Sequence, residues 1–269
     1  MSQSYLSRIG SKLFILLIFG FITLPVFMVI WISFFKNQLI VFPPKGYSTH
    51  WYMQLADQGN FAMAFFFSLE VSLLAMIISL VLGLLSSLAI THYEFRGKQT
   101  LQTFLLSPLV VPAIITGIAI YIFLFKSENW LGFNLVPSFW SLTFAHVIIT
   151  LPWTVRLISA GLQGVNRSLE EAAVDLGASK LQTFWYVIMP SIRPSLVAAG
   201  IFAFIFSFNN LEISLMLVSP RQTTLPIEIL NYVFWKVDPF IAAVSTVQII
   251  VIAGLMLIAD RFVGLSKVF

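Results

Sequence analysis

The sequence predicts an all-α, polytopic membrane protein with six transmembrane helices, and three observations carry that reading. Hydrophobic residues make up 59% of the 269 and charged residues only 10%, where a soluble domain carries about 25% charged residues; the mean hydropathy is +0.94. Six apolar runs are each long enough, at about 1.5 Å per helical residue, to cross a hydrocarbon core of about 30 Å. The segments between them alternate in Lys and Arg content, as cytoplasmic and external loops do.

The first run, residues 13–35, follows Arg8 and Lys12. It exceeds the apolar core of about 7 to 15 residues in a signal peptide, and it holds Pro25 and Trp31 where small residues would stand. It reads as the first span. Residues 36–60 form a polar loop with Pro43 and Pro44 and a short helix near Trp51 to Leu55, with Trp51 and Tyr52 suited to a membrane interface. The second span covers about 64–90 and the third about 101–125, where Pro108 and Pro112 are placed to kink the helix. The fourth, about 138–160, carries His146 and Pro152; the fifth covers about 195–218 and the sixth about 240–258. The whole chain, residues 1–269, reads as a single transmembrane domain without internal repeats.

Six spans put both termini on one side. That side collects Arg8, Lys12, Arg96, Lys98, Arg156, Arg167, Lys180, Arg193, Arg261 and Lys267, ten of the fifteen basic residues. The other side has Lys36, Lys45, Lys126, Arg221 and Lys236. The bias places the termini and the loop 161–194 in the cytoplasm. It also accounts for the net charge of +4 without nucleic acid as a partner. With no cysteine, disulfides, thiolate metal sites and thiol nucleophiles are excluded.

Within the loop 161–194, the stretch SLEEAAVDLGASKLQTFWYVIMPSIRP from Ser168 to Pro194 is polar between two apolar runs. Ser168 with Glu171, and Ser179 with Gln182, have the spacing of capping boxes, in which side chains satisfy the open N–H groups of a helix start. Gly177 suits the left-handed position after a helix end. Pro190 and Pro194 interrupt the second helix. A short helix, a tight turn and another helix result. Ala172 and Ala173 leave the first helix bare for close approach by another protein, flanked by the charges of Glu170, Glu171 and Asp175.

Glu171-Ala172-Ala173, then Gly177, then Val187, Ile188, Met189 and Pro190 resemble the EAA loop of the inner-membrane permease subunits of bacterial ABC importers that depend on a binding protein. That family usually has Ile at the position of Val187 and Leu at that of Met189; both departures keep an apolar residue. Further stretches are similar as well: YEFRGK, SPLVVPAIITGIA, SLTFAHVIITLPWTVRLISAGL, TLPIEIL and VDPFIAAVST. Within the family the resemblance is greatest to the second permease of spermidine/putrescine importers. It implies a non-catalytic, multi-pass subunit of the bacterial inner membrane, surrounded by lipid and paired with a second, different permease. Two copies of an ATPase subunit, which hold the ATP and Mg, and a periplasmic or extracellular solute-binding protein complete the importer. The resemblance also implies that Glu170, Glu171, Ala172, Ala173, Asp175, Gly177 and Pro190 couple this chain to the ATPase by alternating access.

The residues themselves offer no catalytic site. There is no GxxxxGK[ST] loop, HExxH or GxSxG motif, and no His and carboxylate cluster at metal-ligand spacing. His50 and His92 fall in or beside loops and are expected to be solvated, and His146 is expected to bond to a neighbouring helix. An ionised acid in a span faces a cavity or a partner because of its insertion cost. Glu212, with Asn209, Asn210 and Phe208 beside it, is therefore a candidate for the solute pathway, or else a helix-packing cluster. Polyamine members of the family carry paired acids where Asn209 and Asn210 stand, so the same class with another small solute (ferric iron, phosphonate or opine) remains open, as does a self-sufficient channel.

Overall fold

The structure is a computed structural model that describes residues 2–219 and 222–263. Arg221 and Lys267, both counted in the charge balance, lie outside the described residues. Helices dominate: α1 (Ser2–Ile32), α2 (His50–Asp57), α3 (Gly59–His92), α4 (Lys98–Leu106), α5 (Ala113–Leu131), α6 (Phe139–Gln163), α7 (Arg167–Asp175), α8 (Lys180–Thr183), α9 (Met189–Phe208), α10 (Glu212–Leu217), α11 (Leu225–Trp235) and α12 (Pro239–Val263). Among the described residues there is no β-sheet, and 6 helices are long and apolar enough to span a membrane. The chain is an all-α polytopic membrane protein.

Two spans differ most from those the apolar runs suggest. The third run is broken, because Pro108 falls in a 3₁₀ turn, Ser107–Leu109, and Pro112 becomes the N-cap of α5. A proline has no N–H to donate to the preceding turn, so the membrane helix starts after Pro112 and runs on to Leu131. The fifth membrane helix runs instead over Lys180–Phe208. Pro190 does not end it, because a π-helical turn, Phe184–Ile188, precedes the proline and absorbs the missing hydrogen bond. It stops at Phe208, short of Glu212, which begins the separate helix α10.

Internal packing divides the chain into two units. One comprises Met1–Ala62 with Ile229–Val251. Its buried centre is aromatic: Phe61 meets Phe240 edge-on at 5.1 Å and Tyr232 at 5.8 Å. Trp51 is buried rather than interfacial, with its indole N–H donated to the Phe35 carbonyl at 2.6 Å. The Tyr52 hydroxyl lies 2.6 Å from that of Ser33. Asp238 starts α12: its Oδ1 accepts from the Phe240 amide at 3.1 Å, and its Oδ2 accepts from the Tyr232 hydroxyl and the Lys236 ammonium, each at 2.9 Å.

The other unit, Met63–Glu228 with Ile252–Phe269, holds the polar loop. Small and hydroxylated residues line the α3–α6 seam, as membrane helices need for close contact. Thr154 donates to the Ser79 carbonyl at 2.9 Å, Ser79 and Thr150 share a hydrogen bond of 2.6 Å, and Ser87 donates to the Val155 carbonyl at 3.0 Å. Gly83 packs on Thr154 with no room for a Cβ, as Gly161 does on Ser195 where α6 crosses α9. Ile158, Leu162, Ile188, Ile192 and Ala199 then form the apolar core beneath the loop.

Candidate functional site: the polar loop and the α9–α10 joint

The polar loop folds as a rigid helix–turn–helix. Asn166, directly before α7, is the N-cap, its side chain accepting from the Ser168 amide at 3.1 Å. The Ser168–Glu171 spacing suggests a box two residues further in; Asn166 wins because it sits at the non-helical residue, where a cap side chain can turn back. At the other end Gly177 takes φ +88°. The Gly177 amide donates to the Val174 carbonyl at 2.8 Å and the Ala178 amide to the Ala173 carbonyl at 2.9 Å. Those two bonds are a Schellman closure, which requires a left-handed residue. Ser179 and Gln182 then form a reciprocal capping box at the start of α8.

The loop's side chains separate into two groups. Glu171, Ala172, Asp175 and Gly177 are exposed and Ala173 is half-buried. Leu169 and Leu176, 53% and 89% exposed, stand three and four residues from Ala172 and complete an apolar stripe on one face of α7. Glu170 turns the opposite way. Its Oε1 lies 3.2 Å from Nε2 of His92, the last residue of α3, so His92 is partnered rather than solvated. Arg167 adds a long bond of 3.4 Å to the Thr91 carbonyl. Pro190 lies apart from α7, at the start of α9. No local signal points to Leu169, Leu176 or the His92 contact: a leucine on a short polar helix looks like core, and His92 and Glu170 stand 78 positions apart.

At the α9–α10 joint the helix opens at Asn209, Asn210 and Leu211. Asn210 Oδ1 accepts from the Ile213 amide at 3.0 Å, and Asn209 Nδ2 donates to the Ile205 carbonyl at 2.9 Å. Both amides therefore serve the backbone of the break. His146, fully buried on α6, bridges it, with Nδ1 2.7 Å from Ser207 Oγ and Nε2 3.1 Å from Ser214 Oγ. Phe208 is 1% exposed, stacked on Phe204 and edge-on to Phe65. Asn209 and Glu212 remain exposed from the chain. Among the described residues no three His, Cys, Asp or Glu side chains are grouped to hold a metal ion.

Residues 79–267, which contain both the loop and the joint, match the family described as binding-protein-dependent transport system inner membrane component. The putrescine transport system permease protein PotI of Escherichia coli K12 is 30% identical over 233 residues, which cover 86% of this chain and 83% of that protein. The spermidine/putrescine transport system permease protein PotC of the same strain is 27% identical over 254 residues, 94% of this chain and 93% of that one. Among solved structures, a bacterial ABC transporter involved in import of the acidic polysaccharide alginate superposes with a TM-score of 0.73 at 18% identity, over 95% of this chain and 94% of that one. The inward-facing MetNI methionine ABC transporter gives 0.63 at 16% identity, over 77% of this chain and 96% of that one. With the family matched across both sites and curated permeases aligned along most of its length, this chain belongs to the binding-protein-dependent inner membrane components, as a permease subunit of an ABC importer.

Proposed function

We propose that this permease pairs with a second, different permease above two ATPase subunits, and passes inward a small polyamine-like cation delivered by an external binding protein. The observation that carries the coupling half is α7: a helix closed at both ends, presenting Leu169, Ala172 and Leu176 outward with Glu171 and Asp175 beside them. A stiff element that buries no residue of its own transmits force to a partner with little loss in internal bending. In this reading α7 sits in the ATPase, ATP and Mg bind there and not in this chain, and both termini share the cytoplasmic side with α7. The external binding protein meets the opposite face.

The solute half is supported by the names of PotI and PotC. Asn209 and Glu212, exposed from the chain at the helix break, would face the second permease across the pathway, with Glu212 as a transient counter-charge. A different small solute is the second reading, favoured by Asn209 and Asn210 in place of paired acids and by their engagement with the backbone.

The test is ATPase activity of the complex in nanodiscs, co-expressed with the neighbouring genes' subunits and titrated with binding protein loaded with putrescine or spermidine. Stimulation is expected. If no ATPase subunit co-purifies, the importer assembly proposed here fails; if one does but polyamine-loaded binding protein leaves the rate unchanged, the solute assignment falls.

A further inference from the structure

The contact between His92 and Glu170 joins the end of a membrane helix to α7, and its hydrogen bonds define how many protons it holds. Thr91 Oγ1 lies 2.7 Å from the Ser87 carbonyl and 2.9 Å from His92 Nδ1. A carbonyl only accepts, so the single hydroxyl hydrogen goes to Ser87, and Oγ1 must accept from Nδ1–H of His92. The other ring nitrogen, Nε2, faces Glu170 Oε1 at 3.2 Å. A neutral imidazole protonated at Nδ1 has a lone pair at Nε2, which would oppose the lone pairs of a carboxylate. The contact is a hydrogen bond only if one further proton is present, either on Nε2 opposite a carboxylate or on Glu170 opposite a neutral ring.

We propose that His92 and Glu170 form a proton-held latch that docks α7 on the end of α3, which makes His92 a positioning residue for the ATPase-coupling surface. The proposal rests on α7 as the coupling helix for its consequence, though not for its chemistry. Both side chains are largely shielded, at 24% and 20% exposure, so water replaces the bond less readily than at an open surface. The pair separates two clefts. One, of about 510 Å³, is lined by Tyr93 just after α3, Glu171 and Asp175 from α7, and Lys180 from α8. The other, of about 620 Å³, is lined by Glu94 in the loop before α4, Lys98 at the start of α4, and Arg167 from α7. Lys98 is held by Glu94 at 2.7 Å, and Arg167 reaches a carbonyl. Among the described residues none of these groups bonds to either member of the pair, so no second hydrogen bond or ion pair holds the latch. With it open, α7 keeps the Arg167 bond to α3, its turn into α8 and its packing against the π-helical turn Phe184–Ile188.

Because the chain has no cysteine, two can be introduced for spin labels, at exposed Gln99 on α4 and exposed Ser168 on α7. The distance between the labels is measured in the assembled complex in nanodiscs, between about pH 5 and 8, where imidazoles change charge. The expected result is one narrow distance at the acid end that lengthens and broadens at the alkaline end. His92→Gln, whose amide N–H bonds Glu170 without titrating, is expected to stay narrow throughout; His92→Ala is expected to be broad throughout. A wild-type distribution unaffected by pH, or a His92→Gln variant that shifts as the wild type does, overturns the latch. ATP hydrolysis and uptake measured on the same samples separate the two claims: a pH-driven shift without coupled transport retains the latch and removes the coupling role.

Discussion

The Ala178 amide bonds the Ala173 carbonyl across 2.9 Å, with Gly177 between them at φ +88°. This contact ends α7, and it turns the chain so that α8 can begin two residues later. Space is not what demands glycine here, because a Cβ at Gly177 would meet nothing within 4 Å. The backbone angle demands it.

Gly177→Val is therefore expected to strain the turn by about 1–2 kcal/mol. The chain should still insert in the membrane, since no core residue is touched, while transport per ATP hydrolysed falls sharply. Uptake and phosphate release in proteoliposomes measure the ratio; a wild-type ratio would show that the turn carries no coupling.

Leu176 is 89% exposed, so Leu176→Asp should change the stability of the isolated chain by less than about 0.5 kcal/mol. If α7 lies in a cleft of the ATPase subunit, the same change buries a charge in that contact. Pull-down of the ATPase subunit should then fall at least several-fold, with the thermal melt of the permease unchanged.

Glu212 is exposed and begins α10, whose Ile213 amide donates to Asn210 Oδ1. Glu212→Gln should leave expression and ATPase pull-down intact and slow uptake of a divalent or trivalent amine several-fold. A neutral solute taken up through the same complex should be unaffected. Equal uptake of the amine by both proteins would remove Glu212 from the pathway.

Asp238 satisfies three groups at once: the Phe240 amide, the Tyr232 hydroxyl and the Lys236 ammonium. Burial, and then the Asp238 hydrogen bond and charge, push the Tyr232 phenol above its ordinary value. Because the folded value is raised, that contribution to stability is fully present below about pH 10 and is lost only at more alkaline pH. Asp238→Ala strands the buried Phe240 amide and should cost about 1–3 kcal/mol. Asp238→Asn keeps an acceptor for the α12 cap and should cost less. Thermal unfolding in detergent, with hydrogen exchange at the Phe240 amide, distinguishes the two.

Much of the polar loop is legible locally. Capping and left-handed turns are set within four or five residues, so Ser179, Gln182 and Gly177 announce their roles in sequence. Asn166, an asparagine directly before the helix, is equally local, and it competes with Ser168 two residues on for the same role. The joint is less legible. Asn209, Asn210 and Glu212 read as polar residues inside a span because the apolar run continues past them, whereas the helix breaks there and spends both amides on its own backbone.

The sequence by itself determined the class of molecule, the family and the presence of a stiff exposed knob, because hydropathy, charge bias and capping act over one helix or one turn. Tertiary structure alone decided which way each polar side chain faces. Glu170 and Glu171 are adjacent and chemically alike, yet successive helix positions point about 100° apart, so one meets His92 and the other remains exposed. His146 reaches Ser207 and Ser214, and Phe208 is enclosed by Phe204 and Phe65. Those contacts join residues distant in the chain, and they exist only once the helices have packed.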